Sequence, residues 1–302
     1  MLGGEVMKKY KNAAAIHFGE ALLYLVPSLG LFIIFVFYPL VKSFRLSLYN
    51  ADLMGNEKVY LGFQRYLDLF SSSQFGHSLW VTLLFTLYTV VPGILIALFL
   101  AYIANWQLKG IAVFRTLFAF PLSIAVTSAS MIFMMMLNPS SGIVTYFLNL
   151  FHLSGISWLS DPKWALISVA IVSIWRGIGF NTIVILSGLQ SIPQQLYDSA
   201  SLDGAGSWRL FSNITLPLLS PVLFFIFIVS VINSLQAFGE INILTQGGPA
   251  DSTNVIVYSI YREGFFNLNY GYASAEAIVL FAVILVLTLA EFWLLERKVF
   301  YR

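Results

Sequence analysis

The sequence predicts an all-α integral membrane protein. Of its 302 residues, 59% are hydrophobic and only 10% are charged, and the mean hydropathy is +0.83. One soluble core cannot enclose so much apolar surface. Stretches without charge, such as the one between Asp68 and Lys109, are long enough for bilayer-spanning helices of about 20 residues. Their continuous runs of Leu, Ile, Ala and Phe argue against the alternating strands of a membrane barrel.

Turn signals at the ends of the charge-free stretches define six predicted transmembrane helices. They lie at roughly 21–41, 79–104, 113–137, 164–188, 220–243 and 273–295. The first stretch follows three lysines but exceeds the roughly 7 to 15 residues of a signal-peptide core, and we therefore expect it to remain as a span. We predict a short N-terminal segment at 1–20 and a membrane domain at 21–302.

The distribution of basic residues predicts that both termini are cytoplasmic. In that orientation the inner segments hold nine basic residues: Lys8, Lys9, Lys11, Lys109, Arg115, Arg209, Arg297, Lys298 and Arg302. The outer segments hold six over longer loops: Lys42, Arg45, Lys58, Arg65, Lys163 and Arg262. The stretch at about 191–217 is then cytoplasmic, and the longest loop, at about 42–78, is external with a surface helix at 63–70.

No catalytic or metal site is predicted. The absence of cysteine excludes thiolate ligands, thiol catalysis and disulfides, and the three histidines are far apart in sequence. Ser160 and Lys163 have the spacing of a serine–lysine acyl enzyme but lie in a turn without the companion motifs. Because the chain also has no phosphate-binding P-loop, the energy for any energised work would have to come from a partner.

The stretch "SIPQQLYDSASLDGAGSWRLFSNITLP" predicts a helix, a turn and a second helix between the fourth and fifth spans. Ser191 is the expected N-cap of a helix that ends near Leu202, and Gly204 is expected to adopt a left-handed conformation. A second helix at 207–215 should end before Pro217. One face of the first helix carries small residues, which fits either contact with another protein or an ordinary loop folded back on the spans.

The spacing within this loop resembles the signature of permease subunits of binding-protein-dependent ABC importers: E-A-A, three residues, Gly, nine residues, I-x-L-P. The matching positions, without insertion or deletion, are Asp198, Ser199, Ala200, Gly204, Ile214, Leu216 and Pro217. Asp replaces Glu and Ser replaces Ala, which keeps the charge and the small size. The resemblance implies a coupling helix that docks in a cleft of an ATPase subunit, with candidate contacts at Asp198, Ser199, Ala200, Asp203, Gly204 and Ala205.

Other segments resemble permeases that import carbohydrates and polyols, among them "TQGGPADST" and "WRGIGFNTIVILSGLQSIP". The segments "LNPSSGIVTYFL" and "IYREGFFNLNYGYASAEAIVL" resemble those of sn-glycerol-3-phosphate importers. The resemblance implies a non-catalytic chain in the bacterial inner membrane that forms half of a pore for a sugar or sn-glycerol 3-phosphate. Its partners would be a second permease, two ATPase subunits that bind ATP and Mg, and an extracytoplasmic binding protein. No cofactor is implied on this chain, and no nucleic-acid partner.

Polar residues inside the predicted spans are candidates for the solute pathway. Arg176 lies halfway along the fourth span, where it either attracts an anionic group or pairs structurally, for example with Glu240. In the fifth span, Asn233, Gln236 and Glu240 have helical spacing, so that they predict a polar stripe facing either a cavity or a partner subunit. The candidate pathway residues are Arg176, Asn181, Asn233, Gln236, Phe238 and Glu240.

The alternative function is an ion-coupled secondary transporter of a small polar solute. Such proteins usually show inverted repeats, broken helix pairs and acidic relays inside the membrane. In this sequence no repeat is evident, and Glu240 and Glu291 lie towards the ends of their predicted spans. A purely structural membrane protein would have no need of a cytoplasmic helix-turn-helix with fixed spacing.

Overall fold

A computed structural model describes residues 24–106, 110–151 and 156–295, so the N-terminal segment predicted at 1–20 lies outside the described residues. Within these ranges, five helices are long and apolar enough to cross a membrane. They are α1 (Tyr24–Ser47), α3 (Ser73–Ala104), α7 (Pro162–Gln190), α9 (Ser207–Leu235) and α12 (Tyr270–Leu295).

The shorter elements fill the connections between the spans. They are β1 (Tyr49–Ala51), β2 (Glu57–Tyr60), α2 (Gln64–Ser71), α4 (Ile111–Ser123), α5 (Val126–Met136), α6 (Ile143–Leu150), α8 (Gln194–Leu202), α10 (Gly239–Leu244) and α11 (Ile256–Tyr261). The prediction of an all-α membrane protein is confirmed, with one small hairpin added. Helices α1 and α3 extend farther into the predicted outer loop than expected, because hydropathy marks the bilayer core and not the end of a helix.

The third predicted span, at 113–137, is wrong as a single continuous helix. Helices α4 and α5 meet at an angle of 103°. The last turn of α4 is a 3-10 turn that contains Pro121, and the backbone then becomes extended at Ile124 and Ala125. Both arms are apolar, so the charge-free stretch gave no sign of the break between them. The bend turns α5 across the bundle, where it packs against α10 and α7.

The fifth predicted span, at 220–243, is shifted in the structure to Ser207–Leu235. The helix does not end before Pro217, as the sequence suggested. A π-helical turn at Phe211–Thr215 precedes that proline, which then stands in the first turn of the following α-helical segment, where a missing N–H costs little. At its other end the helix stops at Leu235, and a break separates it from α10.

The core of the bundle lies between α3, α7 and α9. The alanines at 97, 101 and 104 form one fully buried face of α3, and their small side chains let α7 and α9 approach closely. A second buried cluster, around Phe85 and Val169, joins α3 and α7 to α10. Helix α1 is peripheral: it packs against α12, and none of its most apolar stretch is buried within the chain.

A small layer covers the end of the bundle where α3 begins. Strands β1 and β2 pair antiparallel, with Tyr49 opposite Tyr60, and α2 lies beside them. This helix confirms the surface helix predicted at 63–70. Arg65 points inward from α2 and donates to the carbonyl oxygen of Tyr49 at 3.1 Å, while burial lowers its pKa and the charge of Asp68 partly offsets that effect. The hairpin was not predicted, because its strands are only three and four residues long.

We expect Gly179→Ala to destabilise the chain by about 1 to 3 kcal/mol, because α7 touches the backbone of α4 at this position. An added Cβ would lie 2.6 Å from the carbonyl oxygen of Phe118, which is backbone and cannot rotate away. Gly177→Ala is the matched control, since a Cβ there meets nothing within 4 Å. Thermal unfolding of the purified chain in detergent measures the difference. Equal midpoints for the two variants would contradict the contact.

Candidate functional site

The loop at 191–217 folds as two helices joined by a tight reversal at the end of the bundle opposite the hairpin. Helix α8 ends near Leu202 as predicted, and Gly204 has a φ of +80°. The N–H of Gly204 donates to the carbonyl of Ser201 at 3.0 Å, and the N–H of Ala205 donates to that of Ala200 at 3.0 Å. These two bonds form a Schellman motif, which fixes the direction in which the second helix leaves the turn.

The predicted N-cap of α8 was wrong. Ser191 instead caps the end of α7, where its hydroxyl donates to the carbonyl of Gly188 at 2.8 Å. Pro193 occupies the N-cap position of α8 with an extended backbone and no side-chain hydrogen bond. The prediction failed because α7 continues to Gln190, which leaves only a short connection between the two helices.

The outer surface of the loop is largely exposed, whereas its inner side is anchored. Leu202 is 89% exposed and Trp208 is 78% exposed, which places them among the most exposed large apolar side chains of the described residues and fits a contact surface. On the inner side, the hydroxyls of Tyr197 and Thr215 are hydrogen-bonded at 2.9 Å and link α8 to the base of α9. Of the predicted coupling residues, four are exposed and two half-buried: Asp198, Ser199, Asp203 and Gly204, then Ala200 and Ala205.

A cavity of about 540 Å³ lies at the middle depth of the bundle. It is bounded by the central parts of α3 and α7, by the last turns of α9 and by the break between α4 and α5. Arg176 stands at the midpoint of α7. All six predicted pathway residues line this cavity: Arg176, Asn181, Asn233, Gln236, Phe238 and Glu240. Whether they touch a solute stays a prediction.

The predicted polar stripe is not one helical face. Asn233 lies on α9, but Gln236 follows the end of that helix and Glu240 lies on α10. The residues nevertheless meet at the cavity, because the break at 236–238 turns the chain around its edge. A break of this kind in a spanning segment is tolerated where the backbone lines a cavity instead of lipid.

Arg176 forms an ion pair with Glu240, through its Nη1 and the carboxylate Oε1. This contact favours the structural one of the two interpretations of Arg176 that the sequence left open. The Glu240 side chain is 7% exposed and that of Arg176 is 33% exposed, so the pair is largely shielded from solvent. It joins the midpoint of α7 to α10 across the wall of the cavity.

Several hydroxyls on the cavity wall were not predicted. Thr89 and Ser173 both line the cavity, on α3 and α7. The Thr89 hydroxyl donates to the carbonyl of Phe85 at 2.8 Å, whereas that of Ser173 is buried without a hydrogen-bond partner. Sequence gave no signal for them, because Ser and Thr in spanning helices commonly bond to the preceding turn of backbone.

Aromatic rings pack together around Phe238, which lines the cavity. Phe238 packs edge-on against Tyr261, with ring centroids 4.9 Å apart, and stacks on Tyr258 at 6.3 Å. Burial raises the pKa of Tyr258 above its usual value. Across the described parts of the chain, no three His, Cys, Asp or Glu side chains come together as a metal site would require.

Comparison with known proteins identifies the family. Residues 21–300 match the sequence profile of the family described as "Binding-protein-dependent transport system inner membrane component". The chain is 33% identical over 280 residues to the sn-glycerol-3-phosphate transport system permease protein UgpA of Pectobacterium atrosepticum, covering 92% of this chain and 94% of that protein. The protein of the same name from Brucella suis is also 33% identical over 280 residues, with the same coverage.

Solved structures agree with this assignment. A chain of a bacterial ABC transporter that imports the acidic polysaccharide alginate has a TM-score of 0.82 and 26% identity, covering 96% of this chain and 99% of that one. A chain of the alginate transporter in complex with its alginate pentasaccharide-bound periplasmic protein has a TM-score of 0.80 and 26% identity, covering 93% and 95%. The chain described here therefore belongs to the family of inner-membrane components of binding-protein-dependent transport systems.

Proposed function

We propose that the cavity is the part of the solute pathway contributed by this chain, and that the loop at 191–217 couples it to ATP hydrolysis. The chain is a non-catalytic permease subunit of an importer, and ATP is hydrolysed by a separate subunit. One observation carries the proposal: α7 and α9 line the cavity and are also the two helices that the loop joins. A movement of the loop therefore acts directly on two walls of the cavity.

The connection between loop and cavity is stiff enough to transmit such a movement. Helix α7 is continuous from Arg176 to Gln190, a distance of about 20 Å at 1.5 Å per residue. The hydroxyl contact between Tyr197 and Thr215 ties α8 to α9, so the loop cannot rotate independently of that helix. An ATPase that binds the exposed side of α8 and pulls it inward would displace α7 and α9 together. The cavity would then open to the side of the membrane opposite the loop.

The proposed assembly contains a second permease, two ATPase subunits and an extracytoplasmic binding protein. Helix α1, whose most apolar stretch is not buried within the chain, and the exposed apolar surfaces of α4 and α5 support a membrane-embedded partner. The alginate transporter was solved with a periplasmic protein. We place the loop at 191–217 and both termini in the cytoplasm, with the hairpin layer outside in position to meet a binding protein.

The proposed function is tested by uptake into proteoliposomes that contain the assembled importer. We expect uptake of labelled solute to require ATP on the side of the 191–217 loop and the binding protein on the other side. A protonophore or a sodium ionophore should leave the initial rate unchanged, because no ion gradient drives the cycle. Gradient-driven uptake that persists without ATP would overturn the proposal in favour of a secondary transporter.

A further inference from the structure

The charges on the cavity wall cancel. Among the described residues that line the cavity, Arg176 and Glu240 are the charged ones, and they pair with each other. The other polar side chains on the wall are neutral hydroxyls and amides: Thr89, Ser173, Asn181, Ser230, Asn233, Ser234 and Gln236. The wall therefore offers many hydrogen bonds and no net charge.

An anionic solute finds no favourable place on this wall. To bind the guanidinium of Arg176, a phosphate or carboxylate would have to approach the carboxylate of Glu240, which already occupies the same group. Two like charges in a partly desolvated site repel strongly, and no second cation on the described wall offsets the repulsion. A site of this kind discriminates against anions, because a bound anion would lie beside the negative charge of Glu240.

A neutral polyhydroxy solute fits the same wall. Amide and hydroxyl side chains both donate and accept hydrogen bonds, as sugar hydroxyls do. The rings of Phe180 and Phe238 supply apolar surfaces of the kind that pack on the C–H face of a sugar.

We propose that Glu240 sets the charge selectivity of the pathway: by neutralising Arg176 it makes this wall suited to a neutral sugar or polyol and not to an anion. The inference rests on the proposed function, namely that the cavity is the solute pathway. It also separates this chain from the relatives above, whose names specify a phosphate ester and an acidic polysaccharide.

The charge of the cavity can be measured without knowing the solute, by the reaction of an introduced thiol with charged reagents. Because this chain contains no cysteine, the introduced thiol is its single labelling position. Asn233→Cys in the assembled importer is labelled with methanethiosulfonates that carry either a sulfonate or a trimethylammonium group. The exposed Ser71→Cys on α2 is the reference. At each position, the labelling rate with the sulfonate reagent is divided by the rate with the trimethylammonium reagent. We expect this sulfonate-to-ammonium ratio at position 233 to lie within about threefold of the ratio at position 71.

Removing the charge of Glu240 should then raise this labelling ratio, because Arg176 would be left unpaired. Glu240→Gln is expected to raise the sulfonate-to-ammonium ratio at least about tenfold, and Arg176→Gln together with Glu240→Gln should return it to the starting value. If Glu240→Gln fails to assemble, the ratio in the otherwise native chain still decides. A native ratio that already favours the sulfonate by about tenfold, or one that Glu240→Gln leaves unchanged, would overturn the inference.

Transport gives the second readout. ATP-dependent uptake is compared in proteoliposomes for trehalose and maltose, which are neutral, and for sn-glycerol 3-phosphate and an alginate trisaccharide, which are anionic. We expect uptake of a neutral solute and none of either anion. ATP-dependent uptake of an anion would overturn the charge selectivity while leaving the proposed function intact, whereas uptake without ATP would overturn the proposed function itself.

Discussion

Replacing Gly204 with valine is expected to reduce ATP-driven uptake at least about tenfold while leaving the chain inserted in the membrane. The backbone at this position has a φ of +80°, a conformation that a β-branched residue resists strongly. A Cβ at position 204 meets nothing within 4 Å, so the effect would come from backbone strain and not from a clash inside the chain. The strain would disturb the Schellman turn and redirect the segment that carries Trp208.

The matched control for this prediction is Gly204→Asn. Asparagine tolerates the left-handed conformation better than other residues with a side chain, so we expect it to retain most of the uptake. Substrate-stimulated ATP hydrolysis by the reconstituted complex measures coupling, and the yield of the assembled complex reports insertion. Full uptake with valine at this position would argue against a coupling role for the loop, as would equal losses in both variants.

The sequence was sufficient to predict the class of fold and most of the spans, because bilayer burial imposes a long and nearly charge-free pattern on each helix. It also predicted the left-handed Gly204, since helix ends have their own local chemistry. Hydropathy could not reveal that α4 and α5 form a bent pair, because both arms remain apolar whether or not they are collinear. The sequence feature that marks the bend is Pro121. It was not decisive, because a proline inside a spanning helix is often tolerated, as Pro92 is in α3.

The candidate cavity was predicted in its residues but not in its geometry. Polar side chains in a spanning segment are costly in lipid, which was sufficient to single out Arg176 and Asn233. The assumption of one continuous helix placed Glu240 on the same face as Asn233, whereas the structure brings it to the cavity on a separate helix. Pairing between α7 and α10 is a long-range contact, and no local pattern in the sequence distinguishes a paired arginine from a free one.

Removing Arg176 is expected to destabilise the chain by about 3 kcal/mol, because the carboxylate of Glu240, whose side chain is 7% exposed, is left buried without compensation. Arg176→Met makes this change, whereas Glu240→Leu should cost less, because the Arg176 side chain that it leaves unpaired is 33% exposed. The double variant Arg176→Met with Glu240→Leu should recover to within about 1 kcal/mol of the original chain, since apolar residues of similar volume often replace a buried pair without loss. Equilibrium unfolding in mixed micelles measures all four proteins.

A second ion pair in the same chain provides the control for this cycle. Arg262 and Asp251 lie 2.8 Å apart in the layer near the hairpin, and the Asp251 side chain is 45% exposed, so water solvates this carboxylate when Arg262 is lost. Arg262→Met should therefore cost less than about 1 kcal/mol. If the double variant at positions 176 and 240 were as unstable as either single one, the two side chains would be stabilising the fold through packing and not through their charges. Recovery would instead show that charge compensation is what this part of the bundle needs.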